Sequence, residues 1–213
     1  MPRDVEATKR RLRDAALEEF TEHGLHGTTV ERIAARARAN KERLYSYFGD
    51  KNALFTSVLV EELDKVAAAV PVRITRTEDY AEMAGRTFDY LRENPGLPRL
   101  LLWESLADTG QVADEAVRRV HYRDKAEAIG QAQRDGLLDD TIPAHHLMFL
   151  LLSVANWWFA APQVARMLTA GPIDEDEWVA RRASVVEAAR QLAEPKLRLS
   201  DDDVGNRSNR KGG

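Results

Sequence analysis

Apolar residues recur along this chain at three- and four-residue spacing, which predicts helices throughout, with no strand pattern, internal repeat or heptad run. The first stripe, Val5, Leu12, Ala15, Ala16 and Phe20, predicts a helix over 4–23 that stops at Gly24. Leu54, Val58, Leu59, Glu62 and Val66 mark a helix over 51–70 whose face turns from apolar to mixed before Pro71. A fifth helix is predicted over 78–93, carrying Tyr80, Met83, Ala84, Thr87, Phe88 and Leu91 inward and stopped by Asn94-Pro95-Gly96. A short, very apolar sixth follows over 97–107, then a turn at Asp108-Thr109-Gly110 and a long seventh helix over 112–135, capped by Gly136. The eighth, 143–161, is the most apolar; Pro143 suits its first turn, and a kink at Pro162 carries it on to Leu168. Asp174 with Glu177 forms a capping box that opens a ninth helix to Ala193. Residues 199–213 are polar, charged and glycine-containing, a composition that predicts disorder.

Residues 28–54 differ from the rest because two very short helices meet there. Val30, Ile33, Ala34 and Ala37 cluster on one side of a helix opened by Thr28, with Glu31 completing a capping box. Ala37-Arg38-Ala39 makes a tight turn. Asn40 caps a second short helix over 41–47, Gly49 ends it, and Asp50 caps the next, which begins at Lys51. Two short helices joined by such a turn form a helix-turn-helix, in which the second helix enters the DNA major groove. Its outer face is equipped for that. Lys41 and Arg43 can donate to phosphates or guanine edges, and Tyr45, Ser46 and Tyr47 supply hydroxyls. Leu44 and Phe48 face inward, and Lys51 joins the free N–H groups of a helix start, which attract phosphate.

Gly24, Gly27-Thr28-Thr29-Val30, Ile33-Ala34, Asn40-Lys41, Leu44-Tyr45, Tyr47-Phe48, Lys51 and Ala53-Leu54 together resemble the DNA-binding region of the TetR (tetracycline-repressor) family. The resemblance implies a homodimeric, ligand-responsive transcriptional regulator, usually a repressor. It implies phosphate contacts at Thr28 or Thr29, Tyr45, Tyr47 and Lys51, and a base-reading face of Lys41, Glu42, Arg43 and Ser46. Arg38 stands where the family usually has glycine, and a non-glycine residue at positive φ costs roughly 1 kcal/mol. Either the turn avoids that conformation, or Arg38 has a use such as a phosphate contact. Glu42 repels phosphate and can accept only from a cytosine amine; pairing with Arg38 or Arg43 is its other expected role.

Composition sharpens this picture in places. The chain has no cysteine, which excludes disulfides and thiolate metal sites and fits a reducing cytoplasm. Its start lacks the apolar segment of a signal peptide, and its longest apolar run, 147–161, is shorter than the ~20 residues of a membrane span. Residues 1–51 hold eleven Lys/Arg against nine Asp/Glu, a balance of +2, leaving −6 for the remainder of a chain whose total is −4. A basic head on an acidic body suits a DNA reader that docks in one orientation. Nucleophile elbow, phosphate-binding glycine loop and His-Glu-x-x-His are all missing, which argues against an enzyme. His145 and His146 are adjacent, so on a helix they diverge by about 100° and cannot share a metal. Glu104 with His121 would form an acid–base pair only if folding joined them. No cofactor is implied.

The expected architecture is therefore all-α: a helix-turn-helix head over 1–50, an effector-binding and dimerisation body over 51–198, and a tail over 199–213. The eighth and ninth helices are too apolar for a chain this short to cover. Packing them against a second copy gives a four-helix bundle on a two-fold axis, and two heads then read a near-palindromic operator. Phe88, Leu91, Trp103, Glu104, Tyr122, Met148, Leu152, Asn156, Trp157 and Phe159 are candidates to line a small-molecule cavity between the fifth and eighth helices. Asn156 and Glu104 are polar within apolar runs, and each needs a partner, either a ligand or a protein group. The competing expectation is a helical adaptor or small-molecule-binding protein whose helix-turn-helix does not read DNA sequence.

Overall fold

A computed structural model of the chain describes residues 2–107, 112–169 and 171–195. Among these residues there are ten α-helices and no strand. The head comprises α1 (Pro2–Gly27), α2 (Val30–Arg36), α3 (Lys41–Phe48) and the start of α4 (Lys51–Ala69). The body contains the rest of α4 with α5 (Glu78–Glu93), α6 (Gly96–Leu106), α7 (Glu115–Arg134), α8 (Ala144–Ala160), α9 (Pro162–Leu168) and α10 (Glu175–Ala193). The turn expected at Asp108-Thr109-Gly110 and the tail expected over 199–213 lie outside the described residues.

Side-chain caps explain four of the ten helix starts. Asn40 accepts from the Arg43 N–H at 3.3 Å, Asp50 from Ala53 at 2.7 Å and Asp174 from Glu177 at 3.0 Å. Each such cap stabilises its helix by roughly 1 kcal/mol. Three expectations need correction. The cap of α2 is Thr29, not Thr28: the Thr29 hydroxyl accepts from the Arg32 N–H, while Thr28 is buried. Pro143 is the N-cap of α8, with extended backbone, rather than a residue of its first turn. Pro162 does not kink one long helix; it begins α9, which leaves α8 at 81° because Ala161 takes φ −126, ψ 59. This accounts for ten helices where about nine were expected.

Two apolar clusters hold these elements. One joins Leu12, Ala16 and Phe20 of α1 to Ile33, Leu44, Leu54 and Leu59, and extends to Leu97 and Leu100 of α6. The head core is thus continuous with α6. At that seam Gly24 takes φ 70, ψ 178, breaking α1 where the glycine stop was expected, although a last turn continues to Gly27. The Trp103 indole packs there, and a Cβ on Gly24 would lie 2.6 Å from it. The second cluster joins α5, α7, α8 and α10, with the Tyr80 hydroxyl donating to the Leu147 carbonyl at 2.8 Å. Gly85 lets α5 and α10 approach closely: a Cβ there would meet Arg182 and Val186 at 2.9 Å. Arg182 in turn clamps the pair through Asp89 and Glu82. Arg181 is buried between the Trp158 and Trp178 rings and bonds Glu177 and Thr169, which fixes the α9 elbow against α10. Among the described residues no single helix is long and apolar enough to cross a membrane.

Candidate functional site

In the head, α2 is only seven residues long and needs tertiary support. Glu19 of α1 supplies it. Its carboxylate, 2% exposed, accepts from the Thr28 hydroxyl at 2.7 Å, from Arg32 Nε at 3.0 Å and from Arg36 Nε at 3.0 Å. Burial alone would push this carboxyl up. The bonds from Thr28 and Arg32, with the charges of Arg32 and Arg36, outweigh burial and hold it below the usual carboxylate range. Sequence reading passed over Glu19. The signal was present: it falls at helical spacing from Ala15 and Ala16, on the apolar stripe.

The turn after α2 does adopt the conformation that favours glycine. Arg38 has φ 50. The Ala39 N–H bonds the Ala34 carbonyl at 2.9 Å and the Arg38 N–H bonds Ala35 at 3.1 Å, the paired bonds of a Schellman ending. This ending redirects the chain into α3. On α3, Leu44 is fully buried while Lys41, Glu42, Arg43, Tyr45 and Ser46 are exposed. Tyr47 is half-buried against the head core, with the Lys9 ammonium over its ring. The pairing expected for Glu42 does not occur: among the described residues it has no ion-pair partner within 4.0 Å, and neither does Arg38. Glu42 instead sits in the first turn of α3, where the helix dipole favours a carboxylate.

Of the two candidate threonines, Thr28 has its hydroxyl committed to Glu19, and Thr29 is the one left at the surface. Thr29, Tyr45 and Lys51, from three separate elements, meet around a surface hollow of about 390 Å³. The Lys51 ammonium donates to the Thr28 carbonyl at 2.8 Å, tying the start of α4 to the turn before α2.

In the body, a cavity of about 350 Å³ lies between α4, α5, α6, α7 and α8. Leu91, Tyr122, Met148, Leu152, Asn156 and Trp157 line it, as the sequence suggested. The other four candidates lie elsewhere. Phe88 is core, 5.2 Å from the Phe159 ring, and Phe159 stacks on Trp178 at 5.9 Å. Trp103 faces Gly24. Glu104 finds its partners within the protein: it accepts from Arg118 Nη1 at 2.8 and 2.9 Å and from the Ala113 N–H at 2.8 Å. It therefore forms no acid–base pair with His121.

Sequence reading missed the polar edge of the cavity. Arg118, His121 and Lys125 of α7 join Tyr122 in lining it, at the three- and four-residue spacing of one helix face. Leu63, Val66 and Ala67 of α4 form part of the opposite wall, so an occupant would touch the helix that carries Lys51. His145 and His146 do not diverge as expected, their ring centres being 4.3 Å apart. No cluster of three or more metal-ligating side chains occurs among the described residues.

On the outside of the body, Phe149, Trp157, Met167, Leu168 and Val179 are exposed on α8, α9 and α10. A hollow of about 550 Å³ runs between these helices, lined by Val154, Trp158, Val164, Leu168 and Val185 among others.

Comparison with known proteins places these features in context. Residues 12–58 match the family described as bacterial regulatory proteins, tetR family, and residues 79–191 match the tetracyclin repressor-like C-terminal domain. The chain is 40% identical to the HTH-type transcriptional repressor SCO4008 of Streptomyces coelicolor over 193 residues, covering 90% of this chain and 98% of that protein. It is 32% identical to the HTH-type transcriptional regulator RutR of Escherichia coli over 181 residues, covering 81% and 84% of the two chains. Among solved structures, a putative transcriptional regulator from Streptomyces coelicolor, SCO4942, superposes with a TM-score of 0.76 at 31% identity, covering 89% and 99% of the two chains.

Proposed function

The chain belongs to the TetR family of bacterial transcriptional regulators, and from that premise we propose that it is a homodimeric repressor released from its operator by a small molecule. It acts on DNA in the cytoplasm. The observation that carries the reading is the outer face of α3: Lys41, Arg43, Tyr45 and Ser46 are exposed on a short helix anchored by a fully buried Leu44, with Lys41 held only by a surface ion pair to Glu31 at 3.8 Å. Arg43 and Lys41 read guanine edges or phosphates, and Ser46 lies beside them. Thr29, Tyr45 and Lys51 seat one backbone phosphate at their shared hollow, which fixes the register of α3 in the groove. Arg38, left without a carboxylate partner at the turn, adds a phosphate contact.

Two copies pack through the exposed apolar face of α8, α9 and α10, presenting two α3 helices to two half-sites of a near-palindrome. The effector occupies the cavity lined by Leu91, Met148, Leu152 and Asn156. It presses on Leu63 and Val66 of α4 and favours a spacing of the heads that no longer matches the operator. A ligand shifts this equilibrium only as far as its affinities for the two arrangements differ.

The test is a gel shift on the DNA upstream of the protein's own reading frame, repeated over a range of salt. Lys41→Ala is expected to weaken binding and to reduce the salt slope by about one. Arg43→Ala is expected to relax sequence discrimination as well. Unchanged affinity and slope in both variants would mean that α3 does not read DNA, and the non-reading helical adaptor would take its place.

A further inference from the structure

Most of the body cavity is hydrocarbon: Leu63, Val66, Leu91, Leu101, Met148 and Leu152 face it. Its cations come from one edge, the α7 face that bears Arg118 and Lys125 with the His121 ring between them, and no aspartate or glutamate is among its lining residues. These cations are not equivalent. Arg118 is matched by Glu104, whose carboxylate holds it through Nη1, although its Nε is buried without a partner. Lys125 has no carboxylate partner among the described residues. Glu62 on α4, a buried carboxylate of the body, is already paired with Lys65 at 2.6 Å. The cavity lining therefore carries an unmatched positive charge at one end of an apolar chamber.

Holding an ammonium partly out of water without a counter-ion is costly, and this half-burial pushes the Lys125 ammonium below the usual lysine value. The cost is relieved when a ligand supplies the missing negative charge. A neutral ligand would leave it in place, and a cationic ligand would add like-charge repulsion in a medium that screens poorly. Resting on the reading of this cavity as the effector site, we infer that the effector is an amphiphilic organic anion, with an apolar body against α4, α5 and α8 and a carboxylate-type group paired with Lys125. The volume, about 350 Å³, suits a small molecule rather than a peptide.

Three probes built on a ten-carbon chain separate the possibilities: decanoate, decanol and decyltrimethylammonium, titrated calorimetrically below their micelle concentrations into the full chain. Decanoate is expected to bind at least about tenfold more tightly than either of the others. Lys125→Met should bring decanoate to the level of decanol and leave decanol unchanged, while Lys125→Arg keeps the preference. Equal binding of the three, tighter binding of the cation, or a decanoate preference that survives Lys125→Met would overturn the anion assignment and leave the cavity as a binding site. Failure of all three to bind the wild type would overturn the effector-cavity reading itself, and this inference with it. Should Lys125→Met not fold, the wild-type ranking together with Lys125→Arg decides the question.

Discussion

Arg38 holds a position that a left-handed helix ending ordinarily gives to glycine, and it does so without an ion-pair partner among the described residues. The conformation costs a non-glycine residue roughly 1–2 kcal/mol, part of which glycine would return through its greater freedom in the unfolded chain. Arg38→Gly is therefore expected to stabilise the protein by about 0.5–1 kcal/mol in urea denaturation. The same variant should bind operator more weakly in a gel shift. A gain in stability with no loss of affinity would remove the DNA-contact role assigned to Arg38. At this scale, the sequence was most informative where the chemistry is local. Asn40, Asp50 and Asp174 cap as read, because a cap needs only its own next three residues. Thr28 and Thr29 were not separable in that way. Which of the two caps α2 is settled by Glu19, far enough away in sequence that only the packing of α1 on α2 brings it near.

Between elements, the same carboxylate couples α1 to the helix that supports the reading head. Glu19→Gln keeps the shape but removes the charge that Arg32 and Arg36 face, and it is expected to destabilise the protein by roughly 1–3 kcal/mol at neutral pH. The sign of the pH dependence follows from the lowered carboxyl. Its contribution is complete above the ordinary value of 4.5 and is lost as pH falls through the lower value of the folded state. The stability difference between wild type and variant should accordingly shrink below pH 4.5, as measured by urea denaturation across a pH series. Apart from α9, helix order was legible from periodicity together with caps and breakers, and the bounds of α5 agree with the spacing of its apolar residues. The α8–α9 elbow was not. A proline at the junction is compatible with both a kink and a fresh start, and the choice lies in the backbone of Ala161 and in Arg181, sandwiched by two indoles from α8 and α10.

At the scale of the whole molecule, the described residues leave a large apolar face uncovered, with Met167 at 76% and Leu168 at 82% exposure on α9 beside Trp157 of α8. Soluble monomers seldom carry contiguous apolar patches of this kind, which is the physical ground for the proposed dimer. The double variant Val164→Asp/Leu168→Asp places two charges on one side of α9. It should sediment as a monomer, keep its helical circular dichroism and lose tight operator binding. Sedimentation like that of the wild type would place the dimer contact elsewhere. The uncovered apolar face was visible in sequence as more apolar surface on the eighth and ninth helices than a chain this short can cover. The polar edge of the cavity was not, because Arg118 and Lys125 look like ordinary solvated charges until α7 packs on α8 and faces α4 across the cavity.

Trp103 rests on the bend of α1 and Trp157 stands at the cavity wall. Indole emission is sensitive to its surroundings, so the protein carries a native fluorescent gauge at each end of the route from body to head. With the remaining tryptophans replaced, rapid mixing with a bound small molecule would give two time courses from one unlabelled chain. Their order would distinguish heads that move before the chamber fills from heads that move because it has filled.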